Sequence, residues 1–228
     1  MENDLIITIP NEGNDANVAI TKEDGTIDQK TVSLNDIITN LASSYKFSTG
    51  LLPRGTRAFS GSSVTYSIVI EAAARRREIS HEDLREVVPF PHCIFAFYVK
   101  NNTISNTRLY CRPQPLESDS DFLYNFPFGN VYHNDGRICW GSVSLPEIRT
   151  PMNLIGVVNM FFTSGFNGDL FDPGVSFNHP VYTGKERRIN SLANLIRYMS
   201  KRDVFPADML IESAKTLNNL TDNGGRDE

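Results

Sequence analysis

Cys139 lies among side chains whose types suit the chemistry of a reactive thiol: Asn130, His133, Asp135 and Arg137. A cysteine attacks as the thiolate, and a free thiol has a pKa of about 8.5, so a neighbouring cation such as His133 or Arg137 favours the reactive form. The amide of Asn130 can donate a hydrogen bond to a developing oxyanion, and a carboxylate such as Asp135 can take up a proton. The residue types therefore predict nucleophilic acyl chemistry at Cys139.

The same residues admit plainer interpretations. A free cysteine is most often a small buried hydrophobe, and Asn130, which follows a glycine, suits a turn. His133 suits an exposed loop, and it can reach Cys139 only if the loop folds back. Trp140 suits a packing anchor for the loop or, if it is exposed, a contact with a partner.

The stretch 126–146 that carries these residues is too irregular for a helix and is predicted to form a structured loop. Asn134-Asp135-Gly136 is a strong turn signal, because Asn, Asp and Gly tolerate positive φ. Aromatic residues at both ends, Phe126, Phe128 and Trp140, are expected to anchor the loop to a core. Cys139 is thus predicted to be held in a defined position.

The elements on either side of this loop predict an α+β fold. β-prone runs before the loop predict an antiparallel meander, and apolar residues at helical spacing after it predict helices. The predicted strands cover 64–70, 93–99 and 103–111, and the predicted helices cover roughly 151–163 and 192–199, with a further helix from Pro206 to Leu217.

The first part of the chain is predicted to be an extension of this domain. Asp24-Gly25 favours a β-hairpin, and Ser33 suits the N-cap of an amphipathic helix over roughly 34–46. Residues 46–56, rich in Gly and Pro, are the expected linker. The predicted division is an N-terminal hairpin-plus-helix extension at 1–55, a main domain at 56–220 and a disordered polar tail at 221–228.

Net charge, cysteine spacing and the length of apolar runs exclude several classes of function for this chain. A net charge of −5 gives no reason to expect a nucleic-acid partner, and Arg75-Arg76-Arg77, which acidic residues follow, suggests a solvated turn. Three cysteines without CxxC spacing argue against a disulfide framework or a zinc site, so neither a metal nor another cofactor is expected. No run is long enough to span a bilayer, and the acidic N-terminus does not suit a secretory signal, so we expect a cytoplasmic protein without a membrane partner.

Two blocks of the loop resemble the ubiquitin-conjugating (UBC) enzymes. Those enzymes carry His-Pro-Asn-Ile/Val followed by the cysteine of Gly-x-Ile-Cys-Leu-Asp, and here Phe128-Gly-Asn-Val131 precedes Gly136-Arg-Ile-Cys139-Trp-Gly. Segments along most of the chain resemble the prokaryotic UBC-like family D, which includes proteins of PRTRC systems on mobile elements. These segments are Leu51-Leu-Pro-Arg-Gly, Pro89-Phe-Pro, Arg112-Pro, Pro127-Phe-Gly-Asn-Val-Tyr, Asp135-Gly-Arg-Ile-Cys-Trp-Gly and Ser144-Leu-Pro.

The chain departs from the pattern of the larger UBC relatives at four points. Phe128 stands where they have His, Gly129 where they have Pro, and Gly141 where they have Asp. Asn130 precedes Cys139 by nine residues instead of eight. The loop backbone is therefore expected to differ, and the His of the motif is either lost or replaced by His133.

The resemblance implies a UBC-like fold and a conjugating activity. It implies that Cys139 accepts the C-terminus of a small ubiquitin-like protein as a thioester from a ThiF-like activating enzyme and passes it to an acceptor. Asn130 would stabilise the oxyanion or pin the loop, and a JAB-type metalloprotease is often encoded nearby in this family. The alternatives are a non-catalytic UBC-fold adaptor that binds the ubiquitin-like protein or the activating enzyme, and a cysteine hydrolase that uses Cys139 and His133.

Overall fold

The computed structural model describes residues 5–10, 13–22, 24–44, 48–178 and 189–222. The chain divides into two compact units, residues 1–48 and residues 49–228. The boundary lies close to the linker expected at 46–56. The larger unit contains the loop with Cys139.

The smaller unit is a three-stranded antiparallel sheet followed by a helix. Its elements are β1 (Leu5–Thr8), β2 (Asp15–Thr21), β3 (Ile27–Ser33) and α1 (Leu34–Ser44). The predicted hairpin joins β2 to β3 through Gly25, whose φ of +81° suits glycine. The sheet order is β1-β2-β3, so β1 pairs with the hairpin on the side of β2.

The larger unit is built on a six-stranded antiparallel sheet of order β11-β10-β9-β8-β5-β4. Its strands are β4 (Thr56–Gly61), β5 (Thr65–Ala72), β8 (His92–Lys100), β9 (Thr103–Arg112), β10 (Phe122–Asn125) and β11 (Glu212–Thr216). Strands β5, β8 and β9 are the predicted meander, which the pairings confirm. The α+β class predicted from the sequence is therefore correct.

Strand β8 is apolar along its length because each of its faces is buried in a different core. Phe95 and Phe97 face a large cluster that includes the helices α2 (Leu154–Thr163) and α3 (Leu192–Met199). Ile94 and Ala96 face a smaller cluster on the other side, with α4 (Leu217–Asp222). A strand covered on both faces reads as a continuous apolar run instead of an alternating one.

The helices that follow the loop agree with the sequence except at the C-terminal end. Helix α2 follows a 3-10 turn at Pro151–Asn153, and the Ser191 hydroxyl caps α3 by accepting from the Asn194 amide at 3.3 Å. The helix predicted from Pro206 to Leu217 is wrong. The chain there forms a 3-10 turn, Ala207–Met209, and then β11, which pairs with the edge of β10.

A two-stranded hairpin, β6 (Arg75–His81) and β7 (Leu84–Phe90), is inserted between β5 and β8. The turn predicted at Arg75-Arg76-Arg77 is therefore wrong, since these residues begin β6, although Arg75 and Arg76 are exposed as predicted. Arg76 donates hydrogen bonds to the carbonyls of Ser200 and Arg202, and the Arg77 guanidinium lies 3.8 Å from the centre of the Phe162 ring. These arginines link the hairpin to the helical layer.

No helix in the described part of the chain is long and apolar enough to cross a membrane. Residues 223–228, most of the predicted tail, lie outside the described residues, and Thr221 and Asp222 end α4.

Candidate functional site

The loop with Cys139 is a tight hairpin. Val131 and Ile138 form an antiparallel bridge, the Cys139 amide donates to the Asn130 carbonyl at 2.8 Å, and the Tyr132 amide donates to the Arg137 carbonyl at 2.9 Å. The turn lies where Asn134-Asp135-Gly136 predicted it, and Gly136 has φ of +73°. The hairpin thus carries Asn130 and Cys139 at the two ends of its base.

The hairpin docks against β9, which fixes its position on the sheet. The Ile138 amide donates to the Thr107 carbonyl at 3.1 Å, and the Leu109 amide donates to the Gly136 carbonyl at 2.8 Å. A Cβ on Gly136 would lie 2.5 Å from the Tyr110 ring, so the close approach requires glycine. Through these bonds the hairpin extends the large sheet at the edge of β9.

Aromatic side chains hold the base of the loop, as the sequence predicted. Phe126 and Phe128 are fully buried, and their ring centres lie 5.7 Å apart. The Trp140 indole N–H donates to the Thr107 hydroxyl at 2.9 Å, and its ring meets the edge of Phe161 at 6.1 Å. Because Phe128 is inside this core, it cannot replace the missing histidine as a polar group.

Cys139 is the one thiol of the three that solvent can reach. Its side chain is half-buried, whereas Cys93 and Cys111 are 1% and 0% exposed. Burial raises the pKa of Cys93 to about 12 and also raises the pKa of Cys111 well above its usual value. Both remain neutral thiols at physiological pH.

In the native protein, iodoacetamide should therefore modify Cys139 and spare Cys93 and Cys111. The thiolate is the reacting form, and burial removes both access and thiolate from the two core cysteines. Peptide mass spectrometry should find one alkylated cysteine before unfolding and three in guanidinium chloride. Rapid native alkylation of Cys93 or Cys111 would contradict the described packing.

Tyr132 is a site residue that the sequence analysis missed. Its phenol lies close to Cys139, and interaction with Cys139 raises the pKa of that phenol. The Arg137 guanidinium lies 5.5 Å from the centre of the Tyr132 ring. Its place beside the cysteine depends on the register of the hairpin, which a single sequence does not fix, so no sequence signal pointed to it.

Asn130 pins the loop to the segment that follows α2. It is 6% exposed and has φ of +69°, a conformation that asparagine tolerates better than most residues. Its side-chain amide donates to the Gly165 carbonyl at 3.0 Å, and its side-chain oxygen accepts from the Asn167 amide at 3.1 Å. Both polar atoms of the side chain thus have backbone partners, as a pinning role requires.

Asn130→Asp should lower the free energy of unfolding by about 1–3 kcal/mol, because it places a carboxylate against the Gly165 carbonyl and removes a donor. Asn125→Asp is the matched control, since Asn125 makes a similar 3.2 Å bond to the Val175 carbonyl at an exposed site. Urea unfolding measures both. An unchanged stability of Asn130→Asp would remove the pinning role and favour a role at the oxyanion.

His133 points away from Cys139. Its Nε2 lies 2.7 Å from the Leu170 carbonyl oxygen and 3.0 Å from the Ser176 hydroxyl. A carbonyl oxygen can only accept, so Nε2 carries the proton and donates it. The structure therefore does not bring together the Cys139–His133 pair that a hydrolase would use.

Asp135 and Arg137 form an ion pair at the tip of the hairpin. The Arg137 Nε lies 2.6 Å from one oxygen of Asp135, and the Arg137 amide donates to the other at 3.0 Å. Both side chains are partly exposed. Arg137 reaches the site through Tyr132, and Asp135 serves mainly to hold the turn.

Within the described residues, no group of three or more His, Cys, Asp or Glu side chains is arranged to hold a metal ion. The site therefore consists of the thiol of Cys139, the phenol of Tyr132, the guanidinium of Arg137 and the backbone that Asn130 fixes.

A known protein family matches about two thirds of the chain. The model of prokaryotic E2 family D matches residues 62–213, which include the meander, the hairpin with Cys139 and the helices α2 and α3. No curated protein and no solved structure shows a significant match.

Proposed function

We propose, from the premise that the chain belongs to prokaryotic E2 family D, that it accepts a ubiquitin-like protein as a thioester on Cys139. Membership in an E2-like family points to a role in ubiquitin-like conjugation. The proposed donor is a ThiF-like activating enzyme, and the proposed cargo is the C-terminus of the ubiquitin-like protein. A JAB-type metalloprotease encoded nearby would reverse the modification.

The proposed reaction is a thioester exchange. The Cys139 thiolate attacks the carbonyl carbon of the donor thioester, and a new carbon–sulfur bond forms as an oxyanion develops. The intermediate collapses, the bond to the donor cysteine breaks, and that cysteine leaves as a thiolate that takes up a proton. An acceptor amine would later attack the Cys139 thioester and release the thiol.

The observation that carries the proposal is the environment of the Cys139 sulfur. Cys139 is the half-buried thiol of the three, and a hairpin bonded to the sheet holds it in place. Tyr132 lies close enough to Cys139 for the interaction to raise the pKa of the phenol, and the Arg137 guanidinium lies 5.5 Å from the centre of that ring. A cysteine used only for packing needs neither neighbour.

The test is an adduct assay with the ubiquitin-like protein and activating enzyme encoded beside the gene. With ATP, a wild-type adduct should appear on a non-reducing gel, shifted by the mass of the ubiquitin-like protein, and disappear on treatment with a reducing agent. An adduct at any residue other than Cys139, located by mass spectrometry, would end the assignment.

The second candidate is a non-catalytic adaptor that binds the ubiquitin-like protein or the activating enzyme. Two observations favour it: Phe128 is buried where the UBC enzymes carry His, and both polar atoms of Asn130 are bonded to the 165–167 backbone. Binding of either partner that is unchanged in Cys139→Ala, with no adduct on wild type, would select the adaptor.

A further inference from the structure

A cleft of about 430 Å³ lies between strand β6 and the end of helix α2. Residues 75–78 and Ser80 line the side of β6, and Asn159 and residues 162–164 line the side of α2. Among the described residues that line it, none belongs to the stretch 126–146 that carries Cys139. The reaction proposed at Cys139 therefore gives this cleft no role.

Arg77 presents a guanidinium without a counter-ion to this cleft. Its guanidinium carbon lies 3.8 Å from the centre of the Phe162 ring, and its Nε is buried without a hydrogen-bond partner. Within the described part of the chain, no carboxylate forms an ion pair with Arg77. A guanidinium that lies over an aromatic ring is held in place by its face, and its edge is the part that binds a carboxylate. Arg77 is thus positioned to bind an anion.

Arg75 places a second positive charge beside Arg77. The two residues are two positions apart on β6, so their side chains point to the same face and start roughly 7 Å apart. Arg75, too, has no carboxylate partner among the described residues. Burial lowers the pKa of Arg77, and the charge of Arg75 also lowers it. A bound anion would relieve the repulsion between these two guanidinium groups.

Arg76 adds charge to the cleft but is itself engaged by the protein. It donates to the Val87 carbonyl at 2.6 Å and to the Ser200 carbonyl at 3.1 Å, and it lies 3.4 Å from the Asp203 carboxylate. Three arginines and one glutamate, Glu78, thus line the cleft, in a chain whose net charge is −5. The cleft is a positive region of an acidic protein, which favours a negatively charged partner.

The other groups of the cleft favour a peptide over a phosphate or a nucleic acid. Helix α2 ends at Thr163, and the last carbonyls of a helix lack intrahelical donors, so they can accept hydrogen bonds from the N–H groups of a peptide. The negative end of the helix dipole disfavours a ligand that carries only negative charge. Glu78 would repel a polyanion such as a nucleic acid. An acidic peptide supplies both the carboxylates and the N–H donors.

We propose that the cleft between β6 and α2 docks an acidic segment of a partner protein, in which two carboxylates of a Glu-x-Glu motif pair with Arg75 and Arg77. In an extended peptide, residues two positions apart point to the same face at about the spacing of these two arginines. The docking does not require Cys139, so it applies equally to a conjugating enzyme and to an adaptor.

Labelled peptides test the docking without a known partner. Fluorescein-labelled Gly-Ser-Glu-Ala-Glu-Ser-Gly amide is titrated into the wild-type protein at low salt and followed by anisotropy, with Gln in place of both Glu residues as the control. The Glu peptide should bind about threefold to tenfold more tightly than the Gln peptide, as for two partly exposed ion pairs. A peptide with adjacent Glu residues, which point to opposite faces, should lose most of this preference.

Charge variants locate the binding site. Arg75→Gln and Arg77→Gln should each remove most of the preference for Glu, whereas Arg54→Gln, which changes an exposed arginine outside the cleft, should retain it. Glu78→Gln should tighten binding of the Glu peptide by about twofold, because it removes a like charge from the cleft. A misfolded variant could not give such a gain, so this result does not depend on the stability of the arginine variants.

Three results would overturn the docking proposal. They are equal binding of the Glu and Gln peptides, a preference for Glu that survives in both Arg75→Gln and Arg77→Gln, and displacement of the Glu peptide by inorganic phosphate more strongly than by chloride at the same ionic strength. The last result would identify the cleft as a site for a small oxyanion instead of a peptide. The peptide amides cannot react with Cys139, so failure of the adduct assay and failure of this assay are independent.

Discussion

Replacing Cys139 with serine should turn a reducible adduct into one that survives reducing agents. Serine would attack the same carbonyl through oxygen, and the resulting oxyester is cleaved by alkali but not by thiols. Its formation should be slower than thioester formation, because a serine hydroxyl is almost wholly protonated and its attack is weak without a base. The structure places His133, one of the candidate bases, against Leu170 and Ser176 instead.

Cys139→Ala should abolish the reducible adduct, because alanine has no atom that can carry the acyl group. Cys93→Ala and Cys111→Ala are the matched controls, since both thiols are buried in the core and should retain the adduct. Thermal unfolding confirms that each variant is folded. An adduct of wild-type yield on Cys139→Ala would show that another group accepts the cargo.

Phe161→Ala should cost about 3–5 kcal/mol of unfolding free energy and loosen the site as well. Phe161 is 1% exposed, and its ring lies within 6.1 Å of the rings of Phe95, Phe126, Phe162, Phe166 and Trp140. Because it packs against both sheet and loop, its loss leaves a cavity beneath Trp140. The total free energy of unfolding of a domain is only about 5–15 kcal/mol, so the expected loss is a large share of it.

The matched control is Phe122→Ala, which removes the same side chain from a site that is 54% exposed and should change stability by less than about 0.5–1 kcal/mol. Urea unfolding measures both variants. In Phe161→Ala, Cys139 should still react with iodoacetamide, whereas acyl transfer from a peptide thioester should slow. Only acyl transfer requires the loop to keep a single fixed conformation. Equal stabilities of the two variants would contradict the packing.

The sequence predicted elements whose signal is local and strong. The apolar run of β8, the Asn134-Asp135-Gly136 turn and the Ser191 cap each depend on a few adjacent residues, and all appear in the structure. The strand β11 was missed because its burial depends on pairing with β10, about ninety residues earlier in the chain. Residue types within 212–216 carry no period-two pattern that would have revealed it.

In the candidate site, too, local features were predictable from the sequence, whereas features that depend on tertiary contacts were not. The loop and its aromatic anchors were predictable from residue type and order, whereas the exposure of Cys139 was not. The direction of the His133 side chain was not, because it depends on Leu170 and Ser176, which only the tertiary fold brings near. The position of Tyr132 beside the cysteine depends on hairpin register, which a single sequence does not fix.

Because a bridge closes the base of the hairpin, the number of residues between Asn130 and Cys139 does not indicate the distance between them. The bridge between Val131 and Ile138 sets the separation of the two residues, whatever the number of residues in the bend around Asn134. A homologue with one residue more or fewer in the bend could keep the same base. Insertions at Asn134 should thus be tolerated better than any at Asn130 or Cys139, and motif searches for members of this family should allow a variable gap.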